Sequence, residues 1–90
     1  MKHFSWSPEK NEQLLRERGI TFEEIVFHIE RGDVLDLLEH PDRKRYPGQR
    51  VFIVEVEAYA YVVPFVEAES EVFLKTIIPS RKMTRKYLGD

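Results

Sequence analysis

The sequence has no cysteine and only three histidines, and these shortages exclude several classes of site. Without cysteine the chain forms neither disulfides nor thiolate metal sites. The histidines His3, His28 and His40 have spacings that match no common zinc motif, so we predict no metal and no other cofactor. No apolar stretch approaches the roughly 20 residues that a membrane span needs, and no long apolar run follows the first charges. We therefore expect a cytoplasmic protein without membrane association.

Size and composition predict one folded domain over residues 1–90. The 90 residues are 42% hydrophobic and 33% charged, which is ordinary for a globular protein and too apolar for a disordered chain. A chain of this length supports little more than one hydrophobic core. We therefore expect all elements to share a single core.

Charge is distributed unevenly along the chain. Residues 75–90 contain five of the 14 Lys and Arg residues but one of the 16 acids. This end segment carries a net charge of +4, whereas residues 1–74 carry −6. Such a concentration predicts a local site for a polyanion.

The first helix is predicted from its two ends. Ser7 can cap free backbone amides, and Pro8 fits the first helical position. Gly19 ends the helix after Arg18, because glycine enters the left-handed conformation without a side-chain clash.

A capping box predicts the second helix. Thr21 and Glu24 have the spacing of that motif, so a helix should run from Phe22 to about Arg31. Its predicted core face consists of Phe22, Ile25, Val26 and Ile29.

Apolar, aromatic and β-branched residues predict strands in the rest of the chain. The segments are 4–6, 34–39, 50–57, 58–66 and 72–78, although 34–39 also fits a continued helix. Pro64 cannot donate a ladder hydrogen bond, so we place it at an edge position or a bulge of its strand. We predict an α+β fold in which two N-terminal helices pack on a mainly antiparallel sheet of about four strands, followed by a short basic C-terminal helix.

Three segments of the sequence, which we call landmarks, resemble one protein family. They are Phe-Ser-Trp-Ser-Pro-Glu-Lys at 4–10, Arg-Gly-Ile-Thr-Phe-Glu-Glu at 18–24 and Ile-Ile-Pro-Ser-Arg-Lys-Met-Thr-Arg-Lys-Tyr at 77–87. Together they resemble the BrnT-like toxins of bacterial type II toxin–antitoxin systems, whose fold is similar to that of RelE-type ribonucleases. The resemblance implies a toxin that cleaves RNA without a metal and is inhibited by a small DNA-binding antitoxin encoded beside it.

The sequence departs from the family pattern at three positions. Ser7 stands where such toxins usually have an acid, and Arg18 stands where a histidine is frequent. Thr76 replaces an arginine of the closing strand, and the neighbouring Lys75 would point to the opposite face. The Thr76 departure favours an alternative function, a non-catalytic module of the same fold that binds a small antitoxin-like regulator.

Metal-independent RNA cleavage requires a proton acceptor for the 2′-hydroxyl and fixed positive charge for the phosphorane oxygens. Arg81 and Arg85 suit the second role, since residues four apart share one face of a helix and each guanidinium can hold two phosphate oxygens. The resemblance favours Lys10 as the proton acceptor, because it closes the Trp-x-x-x-Lys part of the first landmark. The alternatives for the acceptor are His28, His40, Glu55 and Glu57.

Further residues are predicted to bind the RNA. Trp6 and Tyr87 could stack on bases, and Lys75 and Lys82 would contact phosphates. Each prediction has a structural alternative: the basic helix as a solvated face, Trp6 as a core aromatic and His28 as a boundary residue. The partners we expect are an antitoxin and an RNA substrate, and exposed strand edges would also allow a homodimer. Nucleic-acid binding without cleavage is a third option, which steep salt dependence without cleavage would support.

Overall fold

Three helices and six strands make up the described part of the chain. In the computed structural model, which describes residues 2–89, the strands are β1 (His3–Ser5), β2 (Val34–Glu39), β3 (Gln49–Val56), β4 (Tyr59–Glu67), β5 (Glu71–Leu74) and β6 (Ile78–Pro79). The helices are α1 (Pro8–Arg18), α2 (Phe22–Glu30) and α3 (Arg81–Leu88). The predicted α+β class is confirmed. Asp90, the one acid counted in the end segment, lies outside the described residues.

The two N-terminal helices begin and end within one residue of their predicted bounds. Ser7 Oγ accepts the amide of Lys10 at 3.2 Å, and Gly19 adopts a φ of 68° after the last turn of α1. At the start of α2, Thr21 and Glu24 form both hydrogen bonds of the capping box. Short-range sequence signals therefore determine both helices.

The strands form one mixed sheet in the order β1-β5-β4-β3-β2, and β6 also pairs with β4. All pairs are antiparallel except β1 with β5, which run parallel. The sheet is larger than the four strands predicted, because β1 joins it at an edge and the predicted strand 72–78 is divided into β5 and β6. Residues 34–39 form β2, so the helical alternative for that segment is wrong.

A break opposite Pro64 divides the predicted last strand. β5 ends at Leu74, and pairing with β4 resumes at Ile78. Between them the Lys75 amide donates to the Pro64 carbonyl at 2.8 Å. In an antiparallel pair each residue directs its N–H and C=O to the same neighbour, so the missing N–H of Pro64 faces this irregular segment. Pro64 thus lies in an interior strand, and the irregularity belongs to the neighbouring strand.

A two-residue turn joins β3 and β4. Glu57 and Ala58 have φ values of 51° and 65°, the positive values that a type I′ hairpin turn requires. This turn fixes the register of the hairpin, in which Glu55 pairs with Ala60.

Alternate strand residues build separate apolar cores on the two faces of the sheet. On the face covered by α1 and α2, called the two-helix side, the core consists of Leu14, Ile20, Phe22, Ile25, Val54, Val56, Val63, Phe65, Val72, Leu74 and Ile77. On the opposite face, called the α3 side, Met83 and Tyr87 pack against a core of Val51, Ile53 and Ala60. The expectation of one shared core is therefore wrong, because the sheet separates α3 from the other helices.

Candidate functional site

Helix α3 presents all four of its cations to solvent. Met83, Thr84 and Tyr87 are partly buried and face the sheet, at the three- and four-residue intervals of one helical face. The other face carries the exposed residues Arg81, Lys82, Arg85 and Lys86, which we call the basic face of α3. With no acid between Arg81 and Leu88, α3 has a net charge of +4.

Hydrogen bonds anchor the first half of α3 to β4. Ser80 caps the helix, since its Oγ accepts the Met83 amide at 3.1 Å. The Ser80 amide donates to the Ala60 carbonyl at 3.0 Å, and the Ala60 amide donates to Thr84 Oγ1 at 2.9 Å. The Thr84 hydroxyl then donates to the Ser80 carbonyl at 2.7 Å. Within this set the Thr84 hydroxyl both donates and accepts, and the Ala60 N–H and C=O both have partners on α3 or its cap.

One side-chain contact anchors the second half of α3 to β2. The Tyr87 hydroxyl donates to Asp36 Oδ2 at 2.5 Å. This hydrogen bond, aided by the Leu37 amide, holds the pKa of Asp36 below its ordinary value of 3.8. The same bond raises the pKa of Tyr87 above its ordinary value of 10.0. Tyr87 therefore positions the basic face, and its hydroxyl has a partner within the fold.

Lys75 adds a fifth cation to the α3 side. Phe73 lies on the α3 side, because its strand neighbours Val72 and Leu74 point into the core of the two-helix side. The Lys75 Nζ lies over the Phe73 ring, 5.9 Å from its centroid, so Lys75 is on the α3 side too. Within residues 2–89, Lys75 and the four cations of α3 form no ion pair. By contrast, α2 has three acids and no Lys or Arg. Helices α2 and α3, on opposite faces of the sheet, therefore have opposite net charge, while α1 is neutral.

Lys10 is not brought beside Arg81 and Arg85. It lies in the first turn of α1, and Leu14, one turn later, is in the core of the two-helix side. Both arginines lie on the outer surface of α3, so the sheet separates Lys10 from them. Lys10 thus belongs to a helix of the two-helix side, whereas Arg81 and Arg85 belong to the helix of the α3 side.

Trp6 also lies on the two-helix side. Its ring stacks on Phe22 with a centroid separation of 5.7 Å and an interplanar angle of 22°. Trp6 is partly buried against the core of that side, as its structural alternative predicted.

Among the alternative proton acceptors, Glu55 lies on the same side as α3. It alternates with Val54 and Val56 of the two-helix core, so its side chain points to the opposite face. Its register partner Ala60 is the residue bonded to Thr84. Arg81 is three residues before Thr84, and Arg85 is the residue after Thr84. Both arginines therefore lie next to Thr84 on the surface of α3.

The remaining alternatives have other surroundings. His28 Nδ1 lies 2.8 Å from Asp33 Oδ2 at the end of α2, and His40 stacks on Tyr46 with a centroid separation of 4.4 Å. Glu57 lies in the β3–β4 turn and is exposed.

Arg18 has a role that sequence reasoning missed. At the last residue of α1, its guanidinium donates to the backbone carbonyl of Ile77. It thereby ties α1 to the segment between β5 and β6. The only available signal was its position in the second landmark, where it stood as a departure from the family pattern.

No protein-family model and no curated protein matches this sequence. The part of the chain that the structure describes contains no pocket, so a ligand of the α3 side would bind on an open surface. Within residues 2–89, His, Asp and Glu side chains form no group of three or more that could hold a metal ion. The longest described helix, α1, has 11 residues, and none of the helices has the length and apolar character that crossing a bilayer requires.

Proposed function

We propose that this chain is a BrnT-like toxin of a type II toxin–antitoxin pair, a metal-independent ribonuclease that binds RNA on its α3 side. The observation that carries the proposal is the exposed basic face of α3, joined on the same side of the sheet by Lys75. The cations form no ion pair within residues 2–89 and are therefore available to phosphates.

Arg81 and Arg85 supply fixed charge to the reacting phosphate. Side chains four residues apart on a helix are neighbours, and guanidinium groups suit the equatorial oxygens of a phosphorane. Two anchors, at Thr84 and Tyr87, hold the helix that carries these arginines. Preorganised charge of this kind stabilises a transition state without further rearrangement.

Glu55 accepts the proton of the attacking 2′-hydroxyl. Its carboxylate lies on the α3 side and has no hydrogen bond or ion pair within residues 2–89. Lys10, which the family resemblance favours, lies across the sheet from the arginines. The location of Glu55 therefore supports it over Lys10 for this role.

The antitoxin would inhibit the toxin by binding the same surface as the RNA. An antitoxin that covers the basic face would block the RNA site and raise the stability of the toxin, because it binds the folded chain alone. The exposed edge of β2 offers a route to a homodimer.

The test is RNA cleavage by purified protein in the presence of a chelator, beside growth after induced expression. We expect growth arrest and RNA loss from the parent but not from the Arg81→Gln, Arg85→Gln double variant. Glu55→Gln should slow cleavage by about 10²–10⁴-fold, the usual contribution of a general base. Such a loss in Lys10→Gln instead would assign the base to Lys10.

The matched control is Arg16→Gln with Arg43→Gln. These arginines form exposed ion pairs with Glu12 and Glu39, each at 3.6 Å, and their replacement changes net charge by the same amount. If the control loses activity as the α3 variant does, overall charge and not the basic face is responsible. A folded parent that leaves RNA intact contradicts the ribonuclease proposal.

The alternative proposal is a non-catalytic interaction module of the same fold. Two observations favour it: Lys10 lies apart from the arginines, and Thr76 stands in place of the arginine of similar toxins. Binding of RNA or of a small regulator without cleavage would support this alternative.

A further inference from the structure

One aromatic ring lies on the α3 side without belonging to a core. Phe73 of β5 points to that side, because its neighbours Val72 and Leu74 are buried in the two-helix core. Helix α3 packs against β4, and Phe73 packs in neither core cluster. The ring is partly exposed.

The cross-strand neighbours of Phe73 are small. It pairs with Ser5 of β1 and with Val66 of β4. Neither side chain is long enough to cover the outer face of the ring, since side chains stand roughly perpendicular to a sheet. The Lys75 Nζ lies over the ring, 5.9 Å from its centroid, so the ammonium is in cation–π contact with one ring face.

The other strand aromatics point elsewhere. Among the described strand residues, the rings at Phe4, Phe52, Tyr59, Tyr61 and Phe65 alternate onto the two-helix side. Phe73 is therefore the one Phe, Tyr or Trp of the described strands that shares a face with the cations of α3. Aromatic rings and cations on one surface are the groups with which proteins hold single-stranded nucleic acid.

We infer that Phe73 and Lys75 form a stacking site for one base of a single-stranded RNA, with Lys75 bound to the adjoining phosphate. This inference rests on the proposed function and adds to it a residue that contacts the base. Stacking accepts every base, so the site fixes the path of the strand from β5 to α3 and not its sequence. The two aromatics predicted from the sequence to stack on bases have other contacts in the fold. Trp6 stacks on Phe22, and the Tyr87 hydroxyl donates to Asp36.

The test compares two labelled 2′-O-methyl oligonucleotides, which lack the attacking hydroxyl and are bound without being cleaved. One has mixed bases, and the other has the same backbone with abasic sites. By fluorescence anisotropy, Phe73→Leu should weaken binding of the mixed oligonucleotide by about fivefold or more. Its affinity for the abasic backbone should equal that of the parent, and Phe73→Tyr should bind both as the parent does.

The matched control is Phe27→Leu, the same change at an exposed ring on α2. It should alter neither affinity. Phe73→Ile serves as a second ring-free variant with a high strand preference, should the leucine variant fold poorly. Equal losses on both oligonucleotides, or no loss on either, would overturn the stacking site while RNA binding by the parent stands. A parent that binds neither oligonucleotide overturns the proposed function and this inference together.

Discussion

At the scale of single residues, Tyr87 shows how a predicted substrate contact can instead be a structural one. Tyr87 was predicted to stack on a base, whereas in the structure its hydroxyl donates a hydrogen bond to Asp36. Nothing local in the sequence relates residue 36 to residue 87, because the contact depends on how α3 crosses the sheet. Trp6 differs, since the shared face with Phe4 already indicated a core position.

The Asp36–Tyr87 bond predicts a defined pH dependence of stability. The pKa of Asp36 is lowered by the fold, so its contribution is present above the ordinary value of 3.8 and is lost as pH falls through the lowered pKa. The pKa of Tyr87 is raised, so its contribution is present below 10.0 and is lost as pH rises through the raised pKa. Tyr87→Phe should therefore lower Tm by a constant amount near neutral pH and by a smaller amount in strong acid, where Asp36 is protonated.

Thermal melts of parent and Tyr87→Phe across this range measure the difference. Tyr46→Phe is the control, because Tyr46 is exposed and its hydroxyl has no hydrogen bond to a described residue. A Tm difference that persists unchanged at about pH 2 would contradict the assignment to Asp36.

At the scale of elements, the Thr84 hydroxyl links the first half of α3 to β4. Thr84 accepts the amide of Ala60, a residue with 0% exposure. Thr84→Val keeps the shape but leaves that buried N–H unsatisfied, so we expect a loss of about 1–3 kcal/mol in the free energy of unfolding. Thr84→Ser keeps the hydroxyl and should lose less.

Urea unfolding of both variants provides the measurement, since a shift in midpoint at an unchanged slope reports stability. If serine destabilises the protein as much as expected for valine and valine does not, methyl packing and not the hydrogen bond holds α3. Loss of RNA binding in Thr84→Val alone would show that the same anchor positions the basic face.

Elements defined by local signals could be predicted, and their long-range arrangement could not. Ser7, Gly19, Thr21 and Ser80 cap their helices through backbone groups within four residues, so the sequence contains the whole signal. The division of strand 72–78 depends on Pro64 of another strand, and the parallel pairing of β1 depends on β5. The separation of Lys10 from Arg81 follows from which face of the sheet each helix covers, and periodicity does not encode that choice.

At the scale of the whole molecule, a net charge of −2 still allows a local polyanion site, because α3 concentrates four cations without an acid. The acids of α2 lie on the two-helix side, and the five cations of residues 75–86 lie on the other. The Debye length at physiological salt is about 8 Å, so an RNA on the α3 side is largely screened from the acids beyond the sheet. Local charge therefore governs binding.

That division predicts how salt should weaken RNA binding. Each phosphate neutralised on a single strand contributes about 0.7 to the slope of log K against log salt concentration. If Arg81 and Arg85 each contact a phosphate, replacing both by glutamine should reduce the slope by about 1.4. The Arg16→Gln, Arg43→Gln control removes the same charge from exposed ion pairs elsewhere and should leave the slope unchanged. Titrations with the uncleaved 2′-O-methyl oligonucleotide measure both slopes, and equal reductions would mean that RNA responds to the net charge of the molecule and not to the basic face of α3.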